Sequence, residues 1–184
     1  MIRTWLATHW VTGAMFMCGA LILVTPAIPD GPQRLIYLAG PLYMIHQVEE
    51  HYRDRFRLFV NTYVFRRPDT LSVEDVLWIN LPGVWGVNLL ALYLALAFGP
   101  GWGVVVFYFM LVNALSHLIA ALALRRPNPG LVSALVLFLP FSVLGIVMVP
   151  ASMLQRVVGL AVAVMIHAAI LMVVKRNAAR AGTA

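Results

Sequence analysis

The sequence predicts an all-α integral membrane protein, a compact bundle of about six transmembrane helices with both termini in the cytoplasm. Of its 184 residues, 62% are hydrophobic and 11% are charged, and the mean hydropathy is +0.88. These values are far from those of a soluble globular domain. A helix that crosses the hydrocarbon core needs about 20 predominantly apolar residues. Six such runs are present: residues 5–27, 34–53, 74–98, 102–124, 130–149 and 153–174.

The connections between these runs are short, which predicts a single domain over residues 1–184. Glycine and proline, which favour turns, mark several of them in "PAIPDGP", "FGPGWG" and "RRPNPG". The longest connection, residues 54–73, mixes arginine with phenylalanine, valine and tyrosine, a composition that predicts a segment lying in the membrane interface. Cys18 is the only cysteine, so an internal disulfide is excluded and we assign this residue a packing role.

Basic residues fall mostly on one side of a six-span arrangement. That side carries Arg3, Arg53, Arg55, Arg57, Arg66, Arg67, Arg125, Arg126, Lys175, Arg176 and Arg180. Only Arg34 and Arg156 fall on the other side. Cytoplasmic loops are enriched in lysine and arginine, so we expect both termini in the cytoplasm. The net charge of +6 then reflects membrane topology, and membrane lipids rather than nucleic acids are the expected partners.

Polar side chains inside the predicted spans lie at a common depth, about 6–16 Å from the cytoplasmic boundary at 1.5 Å per residue. They are His9, His46, Glu50, Asn80, Asn113, His117 and His167. A single histidine or asparagine in a membrane is often satisfied by a neighbouring helix, so the sequence leaves open whether His9 and Asn80 belong to a site. His51 is expected to point away from the others, toward headgroups or a loop.

Helical spacing places several of these groups on shared faces. His46 and Glu49 are three residues apart and His46 and Glu50 four, so both carboxylates flank the imidazole on one face of the second span. Asn113 and His117 repeat the four-residue spacing in the fourth span. A charged side chain within a membrane costs about 2.5–3.5 kcal/mol or more. A metal ion relieves that cost, with neutral imidazoles as further ligands.

These considerations predict a metal site. Its expected ligands are His46, Glu50, His117 and His167. Glu49 is the candidate general base, and Asn113 is the candidate hydrogen-bond donor or oxyanion stabiliser. Arg53 and Arg57 are candidates for binding an anionic headgroup of the substrate. The metal is a divalent cation, and we favour zinc over iron.

The numbers of acidic residues and histidines exclude several kinds of metal site. A carboxylate-bridged di-iron centre needs four acidic ligands, whereas only Glu49 and Glu50 are expected inside the membrane, since Glu74 and Asp75 lie at the very start of their span. The five histidines are too few for a histidine-box desaturase, and HExxH is absent. A metal-dependent membrane enzyme acting on a lipid or other hydrophobic substrate remains, with a hydrolase preferred and an oxidoreductase second. The alternatives are a small ion, proton or metal transporter and a non-enzymatic scaffold with a structural polar core.

Three short motifs carry a family resemblance. "HQVEE" (46–50), "NALSH" (113–117) and "PGLVSA" (129–134) resemble the HxxEE, NxxxH and PGxxTA motifs of the HXXEE family of integral membrane proteins. Ser133 stands where the third motif has threonine, one hydroxyl for another. The resemblance extends from the second span to the fifth. It implies a shared site at His46, Glu49, Glu50, Asn113 and His117, and it implies no particular activity.

Overall fold

The computed structural model describes residues 2–29, 31–68 and 70–180, except for the side chains of residues 2–4, 7 and 8. All regular structure in these ranges is helical, which confirms the all-α prediction. The helices are α1 (Ile2–Val24), α2 (Pro32–His51), the short α3 (Arg55–Phe59), α4 (Val73–Phe98), α5 (Pro100–Leu124), α6 (Leu131–Met148) and α7 (Met153–Arg180). Asp30 and Asp69, which fall in two of the predicted connections, lie outside the described residues.

Each predicted run of apolar residues corresponds to one of the six long helices. The largest difference is at the end of α7, which continues to Arg180 rather than stopping near residue 174. Its last turns are rich in alanine, lysine and arginine, which are strong helix formers even though they are not all apolar. Five helices are long and apolar enough to cross a membrane, namely α1, α4, α5, α6 and α7.

Helix α2 is the exception because its polar residues lower its hydropathy, although its 20 residues match the length of a span. The exposed fractions of His46, Gln47 and Glu50 are only 1%, 1% and 6%. The polar face of α2 therefore packs against protein. A helix of this composition is expected in the middle of a bundle, where neighbouring helices supply hydrogen-bond partners.

The packing agrees with this central position, because α2 contacts α1 on one side and α4, α5 and α6 on others. Ile36 and Tyr43 of α2 lie in the main hydrophobic core with Phe107 of α5 and Phe138 of α6. Helix α5 in turn packs against α6 and α7. Helices α2 and α5 thus both direct side chains into the interior of the bundle.

Cys18 has the packing role that the sequence predicts. It is buried beside Ala14 and Met44, and its Sγ donates a hydrogen bond to the carbonyl oxygen of Pro41 at 3.3 Å. Proline has no backbone N–H, so α2 lacks one of its own hydrogen bonds at this point. The contact joins α1 to α2 there.

The connection predicted to lie in the interface contains α3 and a π-helical turn (Val60–Val64), and its other described residues before α4 form bends and turns. The Asn61 side chain closes it, because Nδ2 donates to the carbonyl oxygen of Leu71 at 3.1 Å and Oδ1 accepts from the Leu71 N–H at 2.8 Å. Phe59, Val60 and Leu71 are buried. The segment therefore covers one end of the bundle with its apolar side chains.

Three basic regions meet at that same end. Arg67 donates a hydrogen bond to the carbonyl oxygen of Ala178 at 2.7 Å, which joins the α3–α4 connection to the end of α7. The guanidinium of Arg126 lies 3.8 Å from the centre of the Tyr63 ring, which joins the α5–α6 loop to the π-helical turn. Basic residues far apart in sequence thus share one end of the bundle.

Candidate metal centre

His46 and Glu50 of α2 meet His117 of α5 in a buried cluster, which we call the metal group. One nitrogen or oxygen atom of each residue lies within 4.8 Å of the others. His46 Nε2 is 3.6 Å from Glu50 Oε2, and His117 Nε2 is 3.4 Å from Glu50 Oε1. In a tetrahedral site with metal–ligand bonds of about 2.0–2.1 Å, the ligand atoms lie about 3.3–3.4 Å apart. The two separations are close to this value, although they end on different oxygens of Glu50, and the group could hold a single divalent metal ion.

Hydrogen bonds at the far side of each ring indicate which nitrogen faces Glu50. His46 Nδ1 lies 2.8 Å from Ser133 Oγ, and that hydroxyl in turn donates to the carbonyl oxygen of Gly130 at 3.3 Å. Because the hydroxyl proton is engaged there, Oγ accepts from His46 Nδ1–H. The proton of neutral His46 is thus on Nδ1, and Nε2 presents a lone pair to the carboxylate.

His117 is held in the same way by Asn128. Asn128 Nδ2 donates to the backbone carbonyl oxygen of His117 at 2.8 Å, so Oδ1 is the atom that lies 2.6 Å from His117 Nδ1. An amide oxygen only accepts, so Nδ1 of His117 is the donor. Orientation of a ligand imidazole by a hydrogen bond to its other nitrogen is common in metal sites. Sequence analysis did not identify Asn128, whose only signal is its position between two prolines beside the third motif.

At the centre of the group, hydrogen-bond acceptors of the two histidines therefore face hydrogen-bond acceptors of the Glu50 carboxylate. The Nε2 lone pairs of both histidines point at the Glu50 carboxylate, and His46 Nε2 has no hydrogen-bond partner among the described residues. A cation has to lie between these atoms, either a proton or a metal ion. Charge-assisted N–H···O bonds are about 2.7–2.9 Å long, shorter than the 3.4 and 3.6 Å seen here. Neither contact is therefore a short charge-assisted hydrogen bond, and the group could hold a metal ion between its three side chains.

Gly130 closes the group from the start of α6. Its φ of +90° is a conformation that suits glycine, and a Cβ at this position would lie 2.8 Å from Cε1 of both His46 and His117. The backbone can approach the two imidazoles this closely because the side chain is absent. The third sequence motif therefore meets the first two at the metal group.

The adjacent carboxylate, Glu49, faces α6 instead. It accepts hydrogen bonds from the backbone N–H groups of Val132 at 3.2 Å and Ser133 at 2.7 Å. Negative charge is favourable at the N-terminus of a helix, where N–H groups lack partners within the helix. Glu49 is also absent from the lining of the cavity beside the metal group. A general base has to reach its substrate, so this position favours a role in anchoring α6 to α2.

The prediction that His51 points away from the group is wrong. Its Nε2 lies 3.0 Å from Glu50 Oε2, and only 5% of the residue is exposed. Helix α2 ends at His51, and the following turn has positive φ at Arg53 and Asp54. His51 is thus the last residue of α2, and its ring lies at the helix end beside the adjacent Glu50 carboxylate. The imidazole instead holds the carboxylate oxygen that faces His46.

A cavity of about 600 Å³ adjoins the metal group, and Asn113 and His167 both border it. His167 lies outside the three-residue group. Its Nδ1 is 2.8 Å from the carbonyl oxygen of Ala163, one turn earlier in α7, and its ring packs 4.8 Å from that of Phe109. The ligand role of His167 stays a prediction that these contacts do not support.

The two arginines expected at a headgroup site are not part of the cavity lining. Arg57 Nε donates to Asp54 Oδ2 at 2.8 Å, and the Arg53 guanidinium lies 5.3 Å from the centre of the Tyr52 ring. Both residues are in or beside α3, where the chain has already turned away from α2.

Asn80 and His9, whose membership of a site the sequence leaves open, lie in different environments. Asn80 borders the cavity, and its Oδ1 accepts from Gln47 Nε2 at 2.8 Å. Gln47 Oε1 in turn accepts from Trp85 Nε1 at 2.8 Å. His9 is exposed on α1, where its Nδ1 lies 2.8 Å from the carbonyl oxygen of Trp5. Asn80 belongs to the polar interior, and His9 does not.

Comparison with known proteins gives one match. A family model described as a protein of unknown function with HXXEE motif matches residues 37–145. No curated protein and no solved structure matches the chain. The matched range begins in α2 and ends in α6, and it contains the three residues of the metal group together with Asn128 and Ser133, which orient the two histidines.

Proposed function

Because the chain belongs to the HXXEE family, whose function is unknown, we propose a function from its site: a metal-dependent integral membrane enzyme that acts on a lipid or other hydrophobic substrate. One observation carries the proposal. The two imidazoles, each oriented through its Nδ1, direct Nε2 lone pairs at the Glu50 carboxylate within a buried group. Two histidines and a glutamate are a donor set used by catalytic zinc sites that keep an open position for water.

Hydrolysis is the reaction that we favour. Zinc in such a site supplies a Lewis acid and an activated water. The chain itself contributes the orientation of both rings by Ser133 and Asn128, and of the carboxylate by His51. Asn113 borders the cavity, where its carboxamide is available to a substrate carbonyl. The same donor set also suits iron(II) in oxygen-dependent enzymes, so a metal-dependent oxidoreductase is the second candidate.

We further propose that all six long helices cross the membrane with both termini in the cytoplasm. The support is the distribution of basic residues, most of which lie at the end of the bundle that holds the metal group, together with the length of α2. A cysteine at Pro127 should be labelled by an impermeant maleimide from the cytoplasmic side only, and a cysteine at Ser152 from the other side only. Both positions are exposed, whereas the native Cys18 is buried. Labelling of Pro127→Cys from outside would overturn the topology.

The activity is tested with purified protein and long-chain esters in detergent micelles. We expect ester cleavage that chelation abolishes and that added zinc restores without oxygen. Formation of an oxidised product that requires both iron(II) and oxygen, in place of hydrolysis, would favour the oxidoreductase. Metal-loaded protein without either activity, in a screen that also includes long-chain amides, would contradict the enzyme proposal. Protein that contains no metal would favour the scaffold.

A further inference from the structure

The cavity beside the metal group has one polar corner and mainly apolar walls. Phenylalanine, valine, isoleucine and leucine side chains from α3, the connection after it, α4, α5 and α7 supply just over half of the lining residues, and Asn80, Ser116 and His167 are polar residues outside the corner. The polar corner contains the metal group with His51 and Asn128. Within the described part of the chain, no lysine or arginine lines the cavity. The walls therefore offer no cation to a phosphate or carboxylate head.

The cavity opens sideways, between α5, α7 and the turn after α3. Val64, Ile119 and Leu171 line it and are also exposed, with exposed fractions of 43%, 64% and 49%. In a membrane-spanning bundle, exposed apolar side chains contact the acyl chains of lipids. A molecule in the bilayer can therefore enter without leaving the hydrocarbon phase.

Two further polar atoms near the corner lack partners. Tyr43 is 1% exposed, lines the cavity, and its hydroxyl has no hydrogen-bond partner in the described ranges. Asn113 lines the cavity one turn before His117, and its Oδ1 is likewise buried and unpartnered there. A hydroxyl donates and an amide oxygen accepts. The corner thus suits a ligand head that offers both an acceptor and a donor.

We propose that the cavity binds an uncharged, single-chain amphiphile whose small head carries a carbonyl and a hydroxyl group, such as a fatty-acid monoester of a polyol. The head lies at the polar corner near Tyr43 and Asn113, and the chain leaves through the sideways opening. The cavity of about 600 Å³ is within the range of sites for one small ligand, about 300–1,000 Å³. The inference rests on the proposed function, since this molecule would be the substrate of the same site.

The test measures binding rather than turnover. Full-length protein in neutral detergent is stripped of metal with a chelator and titrated with a radiolabelled long-chain monoester of glycerol. Competition uses the phosphate monoester of the same chain. We expect saturable binding of the glycerol ester, with the phosphate competitor at least about 10-fold weaker, because no lysine or arginine lines the cavity within the described part of the chain.

Two pairs of variants locate the binding. Ala120→Trp fills the cavity that Ala120 lines and should abolish saturable binding, whereas Ala123→Trp, on the same helix but outside the lining, should not. Tyr43→Phe keeps the ring and should weaken binding about 3- to 10-fold through loss of one hydrogen bond. Tyr93→Phe is the exposed control and should have no effect.

Equal or tighter binding of the phosphate ester would overturn the inference, and so would equal behaviour of Ala120→Trp and Ala123→Trp. Metal content separates these results from failure of the proposed function. Protein that never binds metal but binds the neutral ester supports the inference alone. Protein that binds metal but not the ester contradicts the inference and leaves the metal site intact.

Discussion

The end of the bundle remote from the metal group is closely packed, whereas the end that holds the group contains a cavity. At the packed end, a Cβ on Gly103 would lie 2.5 Å from Ile36 Cδ1 and 2.9 Å from Ala95 Cβ, and a Cβ on Gly145 would overlap the Phe107 ring. Glycine here lets helix backbones approach closely, as in other membrane bundles. The absence of side chains at these positions leaves the helices in direct contact.

At the other end, regular helix is interrupted. Two of the elements that line the cavity contain π-helical turns, Val60–Val64 after α3 and Ile79–Trp85 within α4. Such turns frequently occur at functional sites, since the extra residue redirects side chains. The comparison indicates that close helix packing lies at one end of the bundle and the candidate metal site at the other. Substitutions at the two ends should therefore have separable effects.

The two adjacent carboxylates give the largest expected difference. Glu50→Gln replaces a proposed ligand and should eliminate bound metal, measured by elemental analysis of purified protein. Glu49→Gln should retain metal, lose about 1 kcal/mol of stability from the α6 terminus, and keep turnover within about 10-fold. If Glu49 were the general base, turnover would instead fall by about 10²–10⁴ with metal retained. That outcome would restore the role that the sequence suggested for Glu49.

A pair of glycine substitutions compares the two ends directly. Gly130→Ala places a methyl group 2.8 Å from both imidazoles and should lower metal affinity by about 100-fold, because ligand orientation is disturbed. Gly145→Ala should destabilise the fold by about 1–3 kcal/mol through overpacking and so lower the thermal midpoint. The folded variant should still bind one metal ion per molecule. Metal titration and thermal unfolding in detergent measure both. If fully folded Gly145→Ala protein lost metal affinity, the effects of substitutions at the two ends of the bundle would not be separable.

The smallest expected effect concerns the hydroxyl that holds His46. Ser133→Ala removes the acceptor for His46 Nδ1 and should lower metal affinity by about 10-fold. Ser133→Thr keeps a hydroxyl, as in the motif that the sequence resembles, and should change the affinity less than about 3-fold. Competition with a chromogenic chelator measures both. Equal affinities in the two variants would show that the hydroxyl does not orient the ligand.

Local periodicity accounts for the part of the site that could be predicted from sequence. His46 with Glu50, and Asn113 with His117, each repeat at four residues on one helix, and the structure places the first pair beside His117. Charge asymmetry likewise grouped basic regions that the structure joins at one end. Such patterns depend only on helix geometry, which the apolar runs define.

The remaining contacts depend on where helices end. His51 reaches Glu50 because α2 stops there. Glu49 gains its partners from the first turn of α6, and Asn128 reaches His117 from the loop before that helix. Spacing within one helix carries no information on such positions. His167 was assigned by depth alone, and a common depth does not establish a common point in the plane of the membrane.

The most direct test of the central claim, that His46, Glu50 and His117 bind one metal ion, is elemental analysis of protein purified without chelators and then loaded with zinc. We predict about one zinc per wild-type chain, as a single tetrahedral site requires. His46→Ala and His117→Ala should contain none, and the matched controls His9→Ala and His167→Ala should match the wild type. Metal-free wild-type protein after loading, or zinc retained equally in all four variants, would contradict the account.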